Sequence, residues 1–348
     1  MESIKNVAIT GGGTGGHLSI AKALAKECKR RGFYVIYIGS TSGQDRSWFE
    51  NSDIFSETYF LDSTGVVNKR GFGLIKSMWL QCGAILKSRK ILRKHKIDFV
   101  ISVGGFSAGG GSMAAILCKI PLFIHEQNSI FGTLNKVLAP FANAVFGSFK
   151  IHIKNFIQTA YPIDEIYHKN ARIRQKIEVI LFLGGSQGAL AINDFALNIA
   201  PKLLQRNIKI IHQCGKNNLN SLQNAYKDLM KDDNIILFDF SKDLHLWVEK
   251  ADFCVTRSGA SSLWEMCANY LPCYFVPYPY AAKNHQFHNA MFLKNQNLCE
   301  VVEQKDLDSD TFLAYLDAVN VATISKNLAN LAYKNGSSEI IDLIVDRI

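Results

Sequence analysis

Six short segments, most of them directly after an apolar run, hold most of the side chains that could do chemistry. Residues 11–17 read GGGTGGH, 104–111 GGFSAGGG, 125–128 HEQN, 184–189 GGSQGA, 257–265 RSGASSLWE and 284–290 NHQFHNA. Gly11, Gly13 and Gly16 satisfy G-x-G-x-x-G, a pattern that lets backbone N–H groups approach a phosphate at a helix N-terminus. A dinucleotide site would add a carboxylate about 20 residues on, at the end of the second strand. The run there ends Tyr37-Ile38-Gly39-Ser40-Thr41 without one. No Gly-Lys-Ser/Thr follows the glycines, so the triphosphatase P-loop is excluded as well. A tight turn without a ligand stays open, although five glycines around Thr14 exceed what a turn needs.

His17 falls in the first turn of the predicted helix. A neutral imidazole there, its pKa held down by the helix dipole, can act as a general base or can simply cap the helix. Ser186 and Gln187 offer hydrogen bonds to a phosphate or sugar. Ser258, Gly259, Ser261 and Ser262 read as a helix start open to an anion. Glu265, a turn or two inside, can accept both hydroxyls of a ribose. HEQN and NHQFHNA crowd uncharged hydrogen-bonding side chains at strand carboxyl ends, where open α/β sheets bind ligands. Such a set fits a sugar better than a metal, and neither a metal cluster nor a cofactor is expected. GGFSAGGG reads equally well as glycine-assisted packing.

Apolar runs at 6–10, 34–38, 98–102, 121–125 and 144–147 leave room for helices between them, and a second series follows at 178–183, 209–213, 234–238, 252–255 and 273–276. Continuous apolar strands joined by helical crossovers indicate parallel sheets covered on both faces, the α/β class. The glycine turns at 11 and 184 open the two series, about half a chain apart, which implies two similar nucleotide-type domains. The expected boundaries are 1–155, a linker at 156–172, and 173–336, with a last helix at about 337–348.

The 348 residues are 48% hydrophobic and 20% charged, which excludes a disordered chain. The eight cysteines show no metal or disulfide spacing, and no signal segment or membrane-length apolar run is seen, so a cytosolic protein is expected. The net charge is +9. Residues 69–96 carry nine basic side chains and no acidic one, so the rest of the chain is balanced. Lys69, Arg70 and Lys76 there flank Phe72, Ile75, Met78, Trp79 and Cys82 at helical spacing. That pattern fits a helix lying on an anionic membrane surface, or an amphipathic helix docked on its own sheet. The aromatics are not interleaved for base stacking, so nucleic acid is not an expected partner.

Taken together and in this order, the six motifs resemble the MurG family, bacterial UDP-N-acetylglucosamine:lipid-linked muramoyl-pentapeptide N-acetylglucosaminyltransferases, from about residue 6 to 305. The resemblance implies a GT-B fold, two Rossmann-like domains facing across a cleft, with the last helix returning to the first domain. It implies a peripheral protein on the cytoplasmic face of the inner membrane, using UDP-N-acetylglucosamine and the undecaprenyl-linked acceptor, lipid I, among other cell-wall synthesis proteins. Thr14, Gly15 and Gly16 would then line the cleft, with His17 as candidate base, Glu126 as second choice, and Asn128 on the sugar side. Ser186 and Gln187 would contact the donor, and backbone near Phe240 and Ser241 the uracil. Ala260, Ser261, Ser262, Leu263, Trp264 and Glu265 would hold the diphosphate and sugar, with Glu265 on the ribose, while Gln286 and His285 would read the sugar hydroxyls. Transfer would be inverting and metal-free. Two departures stand out: the family's Gly-Asn-Pro-Val-Arg is matched by Ala160-Tyr161-Pro162-Ile163-Asp164, and Ile20 replaces a proline after the first loop. Another lipid glycosyltransferase, a UDP-sugar 2-epimerase and a non-catalytic nucleotide-sugar-binding scaffold are the alternatives.

Overall fold

The apolar runs form the interior strands and, at 234–238, one edge strand of two all-parallel sheets in the computed structural model, which describes residues 5–65, 70–184, 188–230, 233–332 and 334–348 (backbone alone at Phe72 and Leu74). The chain divides into two units, Met1–Asp164 with Asn335–Ile348, and Glu165–Lys334.

The first unit holds β1 (Asn6–Thr10), β2 (Tyr34–Ser40), β3 (Glu57–Leu61), β4 (Phe99–Ser102), β5 (Leu122–Glu126), β6 (Ala144–Gly147) and β7 (Phe156–Gln158), in the order β3-β2-β1-β4-β5-β6-β7. Its helices are α1 (Gly15–Arg30), α2 (Asp45–Phe49), α3 (Gly71–Lys94), α4 (Ala108–Cys118) and α5 (Thr133–Leu138). The second unit holds β8 (Val179–Leu183), β9 (Lys209–Gln213), β10 (Ile235–Phe238), β11 (Phe253–Thr256), β12 (Cys273–Phe275) and β13 (Cys299–Val301), in the order β10-β9-β8-β11-β12-β13. Its helices are α6 (Ile166–Lys169), α7 (Leu190–Gln205), α8 (Leu219–Tyr226), α9 (Leu244–Lys250), α10 (Ala260–Ala268), α11 (His285–Lys294), α12 (Ser309–Ala318) and α13 (Val321–Leu331).

The last helix, α14 (Gly336–Val345), belongs to the first unit. Arg31, the C-cap of α1, donates to Asp342 at 2.6 Å, and the Gly336 N–H donates to the Tyr161 carbonyl at 3.0 Å. A side chain at Gly336 would strike the Ala160 carbonyl, so this return is close-fitted. Residues 156–172, read from sequence as linker, are not one: Phe156–Gln158 pairs with β6 as the edge strand β7, and Ile166–Lys169 is already helical in the second unit. Ile20 is buried inside an uninterrupted α1.

The basic helix α3 packs on α4 through small residues. Ser77, Ala84 and Ser88 are buried, and a Cβ added at Gly110 would lie 3.1 Å from that of Ala84. Along its first part small groups take the inward side, and Ile91 and Leu92 enter the core only near its end, while Ile75, Met78, Trp79, Cys82 and Leu86 face outward, Trp79 at 80% exposure. The apolar stripe expected on this helix is therefore not its docking face. Lys69 lies outside the described residues, as does the side chain of Phe72.

One buried cation organises the second unit. Arg174, fully buried, donates to the carbonyls of Arg172 (2.8 Å), Val248 (2.9 Å), Ala251 (3.1 Å) and Asn269, and to Asn269 Oδ1 (2.5 Å). Val248 and Ala251 end α9, and Asn269 ends α10, so the guanidinium sits where both helix dipoles are negative. No carboxylate pairs with it among the described residues, and burial pulls its pKa down to about 9. Arg174→Met should leave these carbonyls without a donor and cost about 3 kcal/mol or more, read as a lower urea midpoint.

Candidate functional site

In the first sheet the strand order reverses between β1 and β4, and in the second between β8 and β11. At such a switch point the loops leaving the two strands part to opposite faces and open a crevice at the carboxyl edge. In the first unit the loops there are GGGTGGH and GGFSAGGG. They interlock: the Gly12 N–H donates to the Gly104 carbonyl at 3.1 Å. A Cβ at Gly105, whose φ is +77°, would lie 2.0 Å from the Gly12 carbonyl oxygen, and one at Gly13 would strike the Phe106 ring. A carboxylate does reach this loop, from Asp45 at the start of α2. It is fully buried and accepts from the Gly13 N–H (2.8 Å), the Tyr37 hydroxyl (2.7 Å) and the Ser107 hydroxyl (3.0 Å).

Thr14 is the N-cap of α1 in extended conformation, but its hydroxyl does not cap. It lies 2.9 Å from Nδ1 of His17, while the Gln127 side-chain amide lies 2.9 Å from Nε2. Both ring nitrogens are thus engaged, the Thr14 contact on the exposed side. Gly15 and Gly16 open the helix. His125 is fully buried, and neither ring nitrogen has a partner among the described residues; burial pulls its pKa down to about 3. Glu126 is also buried. Its oxygens accept from the N–H groups of Asn128 (3.0 Å) and Gly132 (2.9 Å) and from Asn135 Nδ2 (2.9 Å). Burial pushes its pKa up against the pull of these donors. This carboxylate folds the 127–132 loop and places Asn128.

In the second unit the N-cap of α10 is Gly259, which has no side chain to cap with, and no acidic residue stands in the first turn. Ser261, Ser262 and Glu265 share a helix face by three- and four-residue spacing. Leu263 and Trp264 turn inward, Trp264 against Phe292, and Ala260 is buried, so the side chains expected to meet a ligand at these three positions are packed inside the unit. The Ser258 hydroxyl donates to the Gln286 carbonyl at 2.8 Å, and Gln286 Oε1 accepts from the Tyr278 N–H at 2.9 Å. Those two bonds join α10, α11 and the VPYPY loop. His285 Nδ1 lies 2.9 Å from the Ala282 carbonyl, which leaves Nε2 the basic nitrogen. Ser241, beside exposed Phe240, accepts from the Asp243 N–H ahead of α9. Ser186 and Gln187 lie outside the described residues.

Several residues here were not legible from type and spacing. Asp45 is one acidic residue in a polar stretch, and its burial comes from tertiary packing. Arg257 donates to the carbonyls of Val276 (2.9 Å) and Pro277 (3.1 Å) and to Gln304 (2.7 Å), fixing the loop behind Gln286. Asp164, standing where the related motif has arginine, pairs with Lys26 (2.6 Å) and Lys22 (3.2 Å) of α1. Those hydrogen bonds and charges outweigh its burial and hold its pKa below the ordinary value.

Models of the glycosyltransferase family 28 N-terminal and C-terminal domains match residues 7–147 and 179–344. A Helicobacter hepaticus protein named UDP-N-acetylglucosamine–N-acetylmuramyl-(pentapeptide) pyrophosphoryl-undecaprenol N-acetylglucosamine transferase is 51% identical, over 97% of this chain and 98% of its own length. Its Helicobacter acinonychis namesake is 49% identical, over 97% of this chain and 99% of its own. The crystal structure of Acinetobacter baumannii MurG superposes with a TM-score of 0.77 at 26% identity, covering 98% of this chain and 99% of that one. A UDP-N-acetylglucosamine 2-epimerase structure superposes at 0.65 with 11% identity over 98% of this chain and 95% of that one, a likeness of fold alone.

Glu126→Gln would set an amide donor against one of the N–H donors that the carboxylate now accepts. It should loosen the loop by about 1–3 kcal/mol, read as faster amide exchange over residues 127–132.

Proposed function

The chain belongs to glycosyltransferase family 28, in its MurG branch, and on that footing we propose that it transfers N-acetylglucosamine from UDP-N-acetylglucosamine to the C4 hydroxyl of undecaprenyl-linked muramoyl-pentapeptide. The product is the disaccharide lipid intermediate, lipid II, of peptidoglycan synthesis. The observation that carries the donor half is the N-terminus of α10, which starts at Gly259 without a capping side chain of its own, with Glu265 one turn in. N–H groups at that end take the diphosphate. Glu265 accepts the ribose hydroxyls, Gln286 and His285 meet the sugar, Ser186 and Gln187 contact the donor, and backbone near Ser241 meets the uracil.

The first unit takes the acceptor, its pyrophosphate against Thr14, Gly15 and Gly16 and its sugar near Asn128. The acceptor hydroxyl attacks C1 from the face opposite the leaving UDP, inverting the anomeric centre. His17 receives the proton. The Gln127 amide donates to Nε2, so the neutral ring carries its hydrogen on Nδ1, towards Thr14, and Nε2 takes the proton as the incoming hydroxyl displaces the Gln127 amide. Glu126, with both oxygens spent on its own loop, supports that geometry. Negative charge growing on the diphosphate is stabilised at the α10 N-terminus.

The outer face of α3 seats the enzyme on an anionic membrane surface, the cytoplasmic face of the inner membrane. Ile75, Met78 and Trp79 enter the interface while Arg70 and Lys76 meet headgroups, joined by Lys69 and Phe72. Among the described residues no helix is long and apolar enough to cross a membrane.

Labelled UDP-N-acetylglucosamine with a lipid-linked muramoyl-pentapeptide analogue should give the disaccharide lipid at the same rate with and without EDTA. His17→Ala should lower kcat about 100-fold or more; near-normal turnover would remove His17 from the mechanism. Replacing Ile75, Lys76 and Trp79 with serine should weaken co-sedimentation with anionic vesicles about tenfold or more, with turnover of a water-soluble acceptor unchanged.

A further inference from the structure

We propose that Asp45 is a positioning residue of the acceptor half of the site, acting as the resident anion of the first glycine loop. This rests on reading the first unit as the acceptor's. The carboxylate is fully buried and forms no ion pair among the described residues. Its charge is met by the Gly13 N–H and two hydroxyls, and these come from three separate places: the loop after β1, strand β2 and the loop after β4. A buried carboxylate without such donors would be strongly destabilising, so the three elements are held to one arrangement around it. The fit is close: a Cβ at Gly12 would lie 2.3 Å from Oδ1, and one at Gly39 would lie 2.9 Å from it.

The consequence is chemical. In a dinucleotide-binding loop the phosphate settles against the inner N–H groups of the glycine turn. Here Gly13 N–H already serves Asp45 from behind, so an arriving pyrophosphate meets the N–H groups farther on, at Thr14, Gly15 and Gly16, where α1 begins. Asp45 thereby moves the anion site outward to the end of α1, next to His17. The Tyr37 hydroxyl, within reach of both Asp45 and the Gly11 carbonyl (2.9 Å), ties the same loop to β2.

Asp45→Asn and Asp45→Ala separate this role from a general need for charge. In Asp45→Asn the amide oxygen still takes the Gly13 N–H, and the NH2 group finds two hydroxyls able to rotate and accept. In Asp45→Ala all three donors lose their partner. Asp45→Ala should lower kcat/KM for the lipid-linked acceptor about 30-fold or more, with KM for UDP-N-acetylglucosamine within about twofold. Amide exchange in a peptide covering residues 11–17 should speed up about tenfold. Asp45→Asn should stay within about fivefold of the parent on both readouts. If Asp45→Ala does not fold, Ser107→Ala removes one of the three donors and should show the same split at about threefold.

An Asp45→Ala enzyme with unaltered exchange and acceptor efficiency overturns the proposal. So does equal loss towards donor and acceptor, and so does an Asp45→Asn enzyme as impaired as Asp45→Ala. If the parent enzyme transfers no sugar, the transferase reading falls, and the exchange rates alone then decide the role of Asp45.

Discussion

In a parallel sheet all strands deliver their chain to the same edge, and the chemistry of this protein depends on what happens there when neighbouring crossovers diverge. Between β1 and β4, and again between β8 and β11, the loops leave for opposite faces. Loop backbone at such an edge has N–H and C=O groups that no sheet or helix satisfies. The two units answer that constraint differently. The first packs two glycine turns against each other, so that backbone meets backbone between Gly12 and Gly104. The second starts α10 at Gly259, an N-cap with no side chain to bond the first N–H groups.

Charges removed from water hold these edges in shape. Glu126 and Arg174 are satisfied largely by groups of the backbone, Asp45 by one backbone N–H and two hydroxyls, and Asp45 and Arg174 join segments distant in sequence. A hydrophobic contact tolerates sliding, whereas a buried ion surrounded by directed donors or acceptors does not. Arg174 acts at the carbonyl end of α10, on Asn269, and Ser258 ahead of its amide end bonds the Gln286 carbonyl, so the helix is held at both ends.

The central strands were legible because they are buried on both faces and read as continuous apolar runs. The three strands that sequence did not reveal, β3, β7 and β13, are all at sheet edges. Their residues ETYFL, FIQ and CEV are short, partly polar and half-exposed, so periodicity has little to register. The candidate site was legible as motifs of glycine, amide and hydroxyl groups at strand ends. Which of those side chains face a ligand was not. HEQN reads as four equivalent polar residues, yet His125 and Glu126 are buried while Gln127 reaches His17. On α3 the apolar stripe was visible, but its direction depended on the glycines of α4, which no reading of α3 alone contains.

The return of α14 to the first unit gives that unit a history as well as a shape. Its fold is discontinuous in the chain: Arg31 waits for Asp342 and the Tyr161 carbonyl for the Gly336 N–H. On the ribosome, α1 and the seventh strand emerge long before their last partner, and the whole second unit is made in between. The first unit is thus completed last, although it is begun first. Damage to the final dozen residues would be felt at the opposite end of the chain, beneath the helix that carries His17.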